Sequence, residues 1–311
     1  MEYRHTPVLP AEVSHQLMLK PGSIVVDCTL GGAGHATRLK DSIGPDGILV
    51  GIDQDEAALA AAADAARLGR QAILLQGNFG DLDDLLVEAR IPYADAFLFD
   101  LGVSSPQLDL PERGFSYQDD APLDMRMDPG SDSVTAADVV ATYSAAELER
   151  VIRDFGEERW AARIAAFIVD ARAHRPLVTT GDLVDVIKAA IPAAARREGP
   201  HPARRTFQAL RIEVNRELEV LERGLRAAVR WLVPGGRVAV ISYHSLEDRI
   251  VKQTFADLAQ GCTCPPDLPV CRCGAQPVLR VVTKRPILPT AEEVEANPRA
   301  RSARLRVAEK L

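Results

Sequence analysis

Short apolar runs and stretches of helical period alternate along the first hundred residues. Ile24-Val-Val-Asp27, Gly47 to Asp53, Ala72 to Leu75 and Ala94 to Asp100 are rich in Val, Ile, Leu, Ala and Phe. Runs of this length, bounded by turn residues, predict strands buried on both faces, as in a parallel sheet. An amphipathic helix carries Val13, Leu17 and Leu19, another helix starts after His35, and a third spans residues 55–68. From Leu108 the pattern changes. Polar loop with Phe115, Tyr117, Met125 and Met127 leads to a Pro, Gly, Ser and Asp linker over 129–133. Residues 134–195 then show helical period only, over 136–142, 144–154, 157–173 and 180–190. A helix over 205–232, a strand ending at Ser242 and a helix over 247–259 resume the earlier alternation. Strands near 278–284 and 303–308 predict an antiparallel edge on an otherwise parallel sheet. The expected architecture is α/β, with residues 131–203 as an all-helical insert between 1–130 and 204–311.

The first strand leads into Thr29-Leu-Gly-Gly-Ala-Gly-His35. A buried strand, a glycine turn and a helix N-terminus make a pocket of nucleotide type, because glycines let the backbone approach a ligand closely. The second strand ends at Asp53, about 20 residues beyond that loop, where a carboxylate accepts hydrogen bonds from a ribose diol. The fourth strand ends at Asp100, and a parallel sheet sets all three acids along one carboxyl edge. Phe79, in Asn78-Phe-Gly-Asp81 after the third strand, is either a core aromatic or a face for an adenine. The pattern therefore fits an adenosyl ligand.

A net charge of −7 excludes an overall basic field. Arginine is nevertheless clustered at 196, 197, 204, 205 and 211, and the tail carries Arg299, Arg301, Arg304, Arg306 and Lys310. Such runs are either a solvated face or a phosphate-contacting surface. No apolar run reaches the length of a membrane span and the N-terminus lacks a signal-peptide pattern, so a soluble cytoplasmic protein is expected.

A glycine loop after the first strand, a diol acid after the second and an acid after the fourth match the class I methyltransferase arrangement. A dinucleotide dehydrogenase favours Gly-x-Gly-x-x-Gly, which Gly31-Gly-Ala-Gly-His35 does not follow. S-adenosylmethionine thus ranks above a nicotinamide. The segment Asp100 to Gln107 bears on reaction type. An exocyclic base amine is a poor nucleophile, so an enzyme that methylates it places acceptors against the N–H groups and aligns the nitrogen with the methyl group. Amino-methyltransferases of nucleic acids carry an acid, Asn or Ser followed by Pro at this strand end, and Ser104-Ser105-Pro106 near Asp100 is similar, with displaced spacing.

Further stretches carry a resemblance across nearly the whole chain. His5 to Leu9, Asp100 to Leu108, Arg113-Gly-Phe-Ser116, Pro122 to Pro129, Gly156-Glu-Glu-Arg159, Arg205 to Ile212, Tyr243 to Arg249 and Asn297 to Ser302 resemble the bacterial RsmH (MraW) methyltransferases. The resemblance implies a class I (Rossmann-like) fold with a helical insert. It also implies methylation of the N4 amine of a cytidine in the decoding region of 16S rRNA, with S-adenosylmethionine as donor. By the family pattern, cofactor contacts fall on Ala33, Gly34, His35, Asp53, Phe79, Asp100 and Gln107. Ala33 stands where some relatives carry Gly, a change that a backbone contact survives. For catalysis, Asp100 or the Ser104/Ser105 pair is expected to accept from the N4 hydrogens, with Tyr243 and His244 stacking on or orienting the base. The two Arg clusters are expected to hold 16S rRNA or the small subunit through phosphates. An alternative keeps the pocket but makes the protein a ribosome-assembly factor.

Cys262, Cys264, Cys271 and Cys273 lie close together around Pro265, Pro266 and Pro269. Four thiols at this spacing fit either structural zinc or free, redox-active thiols; Cys-x-Cys is tighter than the usual zinc pattern. Cys28 reads as a small core residue.

Overall fold

The computed structural model describes residues 7–64, 68, 72–197, 199–261, 264 and 275–311. The chain divides into two compact units, Met1–Gly102 with Leu218–Leu311, and Val103–Glu217.

The first unit is built on a seven-stranded sheet. Its strands are β1 (Ile24–Asp27), β2 (Ile48–Asp53), β3 (Ala72–Gln76), β4 (Ala94–Asp100), β5 (Leu232–Ser242), β6 (Leu279–Val281) and β7 (Arg304–Lys310). The order is β3-β2-β1-β4-β5-β7-β6, with β1 to β5 parallel and β7 antiparallel to both neighbours. Both faces are covered, as the unbroken burial of β1 requires. One face packs α1 (Pro10–Leu17), α2 (Gly34–Ile43) and α3 (Glu56–Asp64) through Val13, Leu17, Ala36, Leu39, Ile43 and Ala62. The other face takes α4 (Leu82–Glu88) and the helices 217–231 and 245–259, through Leu82, Leu86, Leu221, Leu225, Val251 and Phe255. This is the α/β, class I arrangement expected from the strand pattern. Among the described residues no helix is long and apolar enough to cross a membrane.

The second unit contains no named strand among its described residues. It comprises α5 (Ser105–Asp109), α6 (Ala136–Thr142), α7 (Ala145–Gly156), α8 (Ala161–His174), α9 (Thr180–Ala190), α10 (Ala193–Arg196) and α11 (Arg204–Asn215). Helices α6, α7 and α9 each open on a capping box, Thr135 with Asp138, Ser144 with Glu147 and Thr179 with Asp182. In α7, Leu148, Val151 and Ile152 recur at helical spacing and bury against α8 and α11.

This unit is wider than residues 131–203. The polar loop 111–127 belongs to it because Phe115, Leu123, Met125 and Met127 enter the helical core. The Asn215 side chain fixes that loop by donating to Met125 O and accepting from the Met127 N–H, both at 2.8 Å. The predicted helix over 205–232 is two helices. Arg216 adopts a left-handed conformation after Asn215, and α12 (Glu217–Trp231) begins beyond it, followed later by α13 (Ser245–Ala259) and α14 (Ala291–Ala296). Three of the clustered cysteines, Cys262, Cys271 and Cys273, lie outside the described residues; Cys264 is half-buried and Cys28 is buried in the sheet core.

Gly114 is the tightest backbone position of the second unit. Its φ is +72°, and a Cβ there would lie 2.3 Å from Pro122 O and 2.7 Å from Asp124 N. Neither neighbour is a flexible side chain. Gly114→Ala is expected to destabilise this unit by roughly 2–3 kcal/mol, read as a lowered unfolding midpoint. An unchanged midpoint would contradict the packing of this loop.

Candidate active site at the carboxyl edge of the sheet

Register places three acids on one face. Asp27 pairs with Gly51 on β2 and Leu98 on β4, so Asp53 and Asp100 both stand two residues further along. Side chains two apart share a face, so the three carboxylates share the side that α2 covers, with Asp27 one row deeper. That depth shows in exposure: Asp27 is 1% exposed, whereas Asp53 and Asp100 are half-buried.

Each acid has a different environment. Asp53 accepts the Gly31 N–H at 2.8 Å and the Asp55 N–H at 2.9 Å, one on each oxygen, so it ties the glycine loop to the end of β2. Burial pushes its carboxyl up, and these amides oppose the rise. Asp100 accepts the Tyr243 O–H on Oδ1 at 2.7 Å and lies 3.6 Å from His35 Nε2 through Oδ2. Its backbone N–H donates to Thr29 Oγ1 at 2.7 Å, which locks the end of β4 to the loop after β1. Burial raises the Asp100 carboxyl to about 7, against the lowering effect of the Tyr243 hydrogen bond and with a further rise from the Glu247 charge. Asp27 is raised to about 7 as well, first by burial and then by Asp100 and Asp53, although the Thr29 N–H opposes the shift. Asp27 Oδ2 has no hydrogen-bond partner among the described residues.

The loop after β1 presents backbone donors. Ala33 holds a left-handed φ of 57° and precedes α2, whose first turn has no side-chain cap. The helix starts at Gly34 and His35, and its first N–H groups have no intrahelical acceptor. A partial positive charge gathers at such an end. Phe79 is half-buried; it meets Phe99 edge-on at 5.4 Å, and its backbone leaves no room for a Cβ at Gly224 of α12. It is therefore a core contact with one part still accessible.

Tyr243 reaches Asp100 because Ile241 is the β5 partner of Asp100, which puts the tyrosine one row beyond on the same face. His244 is used differently. It caps α13, with Nδ1 accepting the Glu247 N–H at 3.4 Å and Nε2 lying 3.1 Å from Glu247 Oε1. Ser104 and Gln107 belong to the helical unit. There the Ser104 N–H donates to Gln107 Oε1 at 2.9 Å and Ser104 Oγ accepts the Gln107 N–H at 3.4 Å, a reciprocal cap on α5 that holds Gln107 buried. The Ser105 side chain lies outside the described residues.

The structure thus brings Ala33, Gly34, His35, Asp53, Asp100 and Tyr243 to one sheet edge. Sequence reading overlooked Thr29 and Glu247 and gave Asp27 no role of its own. A hydroxyl two residues beyond a strand-end acid was the signal for Thr29. Glu247 stands three residues after His244, the spacing of a capping box with an unusual first member.

Asp27 yields a stability test. Its carboxyl titrates at about 7 in the folded chain and near 3.9 when unfolded, so the folded state binds more protons between those values. Stability from this group is therefore greatest below about pH 4 and falls as pH rises to about 7. Asp27→Asn keeps an acceptor for Thr29 and removes the charge. It is expected to raise the unfolding midpoint at pH 8 more than at pH 5; an equal change at both pH values would contradict the assignment.

The model of the MraW methylase family matches residues 2–311 of the chain. The Ribosomal RNA small subunit methyltransferase H of Symbiobacterium thermophilum is 57% identical over 312 residues, covering 100% of this chain and 98% of its own. Proteins of the same name from Geotalea daltonii and Geobacter sulfurreducens are each 55% identical, covering 100% of this chain and 99% and 100% of their own. With identity above one half over the whole chain and a family match over residues 2–311, the chain belongs to the MraW methylase family.

Proposed function

We propose that the protein transfers a methyl group from S-adenosylmethionine to the N4 amine of a cytidine in the decoding region of 16S rRNA. The observation that carries this reading is Asp100, a strand-end carboxylate oriented by Tyr243 on one oxygen, beside a loop suited to an adenosyl ligand. Relatives named for methylation of small-subunit ribosomal RNA supply the substrate class.

The residues fit the donor. Asp53, at the end of β2, accepts backbone amides on both oxygens and, as a carboxylate with further acceptor capacity, would accept a ribose diol. The uncapped start of α2 at Gly34 and His35 offers backbone donors, and Ala33 contributes through its backbone alone. The accessible part of Phe79 offers an apolar face for an adenine, and Gln107 is the further contact that the family pattern implies. S-adenosylmethionine, when bound, supplies a methyl group on a sulfonium, so a neutral amine suffices as nucleophile.

Asp100 then works on the amine. Tyr243 occupies Oδ1, and Oδ2 remains to accept an N4 hydrogen. That bond holds the amine in one orientation and draws electron density onto nitrogen. As the N–C bond forms and the carbon–sulfur bond breaks, the nitrogen becomes acidic and passes its proton to Asp100 or to water. A carboxyl held at about 7 accepts this proton near neutral pH. The Ser104/Ser105 pair is the alternative acceptor to Asp100 for the N4 hydrogens. The phenol of Tyr243 would orient the base through Asp100, whereas His244 acts through the cap that precedes α13.

The RNA would be held by exposed cations of the helical unit. Arg196, Arg197 and Arg204 are exposed, while Arg205 donates to Glu157 O at 2.8 Å and Arg211 forms a fork with Glu217 at 2.8 and 2.9 Å. The tail offers less than its composition implies. Arg306 and Arg304 both pair with Asp248, and Lys310 donates to Arg230 O; Arg299, Arg301 and Arg304 are exposed. The enzyme would act in the cytoplasm, where its ribosomal substrate is assembled.

Small subunits lacking the modification, incubated with labelled donor and digested to nucleosides, test the reading. Label is expected in N4-methylcytidine, with kcat/KM reduced on the order of 10²–10³-fold in Asp100→Ala. Near-normal turnover in that variant would remove Asp100 from the chemistry. Affinity for RNA is expected to fall steeply with salt, and Arg196→Ala with Arg197→Ala should flatten the slope by about one to two. A flat salt response in the parent protein would argue against phosphate contacts.

A further inference from the structure

We propose that Glu247 is a positioning residue for this site: its carboxylate clamps the backbone that follows β5 and so aims the Tyr243 phenol at Asp100. The proposal deepens the functional reading, on which the role given to Asp100 rests.

Glu247 is 2% exposed, yet it is a carboxylate in the first turn of α13. One oxygen, Oε2, accepts the Tyr243 N–H at 2.7 Å and the His244 N–H at 3.2 Å. The other, Oε1, lies 3.1 Å from His244 Nε2. A common capping box satisfies one backbone amide from its third helical residue. Here the same side chain takes a second, that of Tyr243, the residue whose hydroxyl meets Asp100 Oδ1. Backbone and side chain of Tyr243 are thus held at both ends by carboxylates, buried Glu247 and half-buried Asp100. With φ and ψ fixed on either side of Cα, few tyrosine rotamers remain, and the phenol is held on Asp100 without a search.

The clamp also places a charge near Asp100. The groups facing Asp100 are the Tyr243 phenol from the end of β5, His35 Nε2 from α2, Asp27 from β1 and Glu247 from α13. Tyr243 stabilises the ionised form, and Glu247 disfavours it. The two residues therefore push the titration of Asp100 in opposite directions, and a positioning role is separable from a purely structural one.

The test follows the Asp100 carboxyl directly, by its ¹³C shift in aspartate-labelled protein, assigned with Asp100→Asn. Glu247→Gln keeps a carbonyl where Oε2 stands, so the clamp survives and the charge goes; the Asp100 midpoint should fall. Glu247→Met removes charge and acceptor together while keeping volume. Its midpoint should lie above that of Glu247→Gln, because the phenol is no longer held on Oδ1. Tyr243→Phe should raise the midpoint above the parent value. On small subunits, Glu247→Met should lower kcat about ten- to a hundredfold with the KM for donor unchanged, and Glu247→Gln should retain most of kcat above the midpoint. Coincident midpoints for the Gln and Met variants would overturn the clamp. If the parent protein failed to methylate subunits, the functional reading would fall, and the carboxyl titrations would still decide the role of Glu247.

Discussion

Three carboxylates on adjacent strands share one face of a sheet, and their burial constrains everything around them. Taking a carboxylate out of water is costly unless donors replace the lost hydration. The chain meets this cost locally. Asp53 takes backbone amides on both oxygens, Asp100 takes a phenol, and Asp27 is served by Thr29 alone and keeps one unpartnered oxygen. Consequently Asp27 and Asp100 hold their protons up to about 7. The glycine loop, Thr29 and the residues after β5 can be read as the apparatus that makes this edge tolerable in the folded chain. In the proposed function the same apparatus would orient the acids for the donor.

Energy spent on burial here is recovered as preorganisation. A phenol held at 2.7 Å from Asp100 and a loop pinned by Asp53 need no rearrangement when a charged, flat ligand arrives. The glycine loop differs from dinucleotide-binding turns in carrying Ala33 with a left-handed φ, a conformation that glycine adopts at lower cost. Strain of this kind persists where the surroundings determine the backbone, and here α2 and the Asp53 bond do so.

Much of this was legible in the sequence. The strand-ending acids announced themselves because apolar runs of β-formers stop abruptly at Asp27, Asp53 and Asp100. Their convergence on one face was not, since it depends on register, and register is fixed only by pairing. The helical unit was evident from its period, but its true extent was hidden. Met125 and Met127 sit in a polar stretch, and only tertiary packing shows that they enter the helical core. Likewise the Arg-rich tail looked uniformly basic, whereas strand alternation turns Arg304 and Arg306 onto Asp248. Glu247 resembled an ordinary first-turn acid, and only the fold shows that it also holds the backbone of Tyr243.

In the proposed function this acid-lined edge receives an adenosyl donor through Asp53. Calorimetric titration of S-adenosylmethionine into the intact protein and into Asp53→Ala tests it most directly. One site is expected in the parent protein, with a loss of about tenfold or more in the variant, the worth of hydrogen bonds to a charged acceptor. Equal affinity in both proteins, or no binding to either, would contradict it.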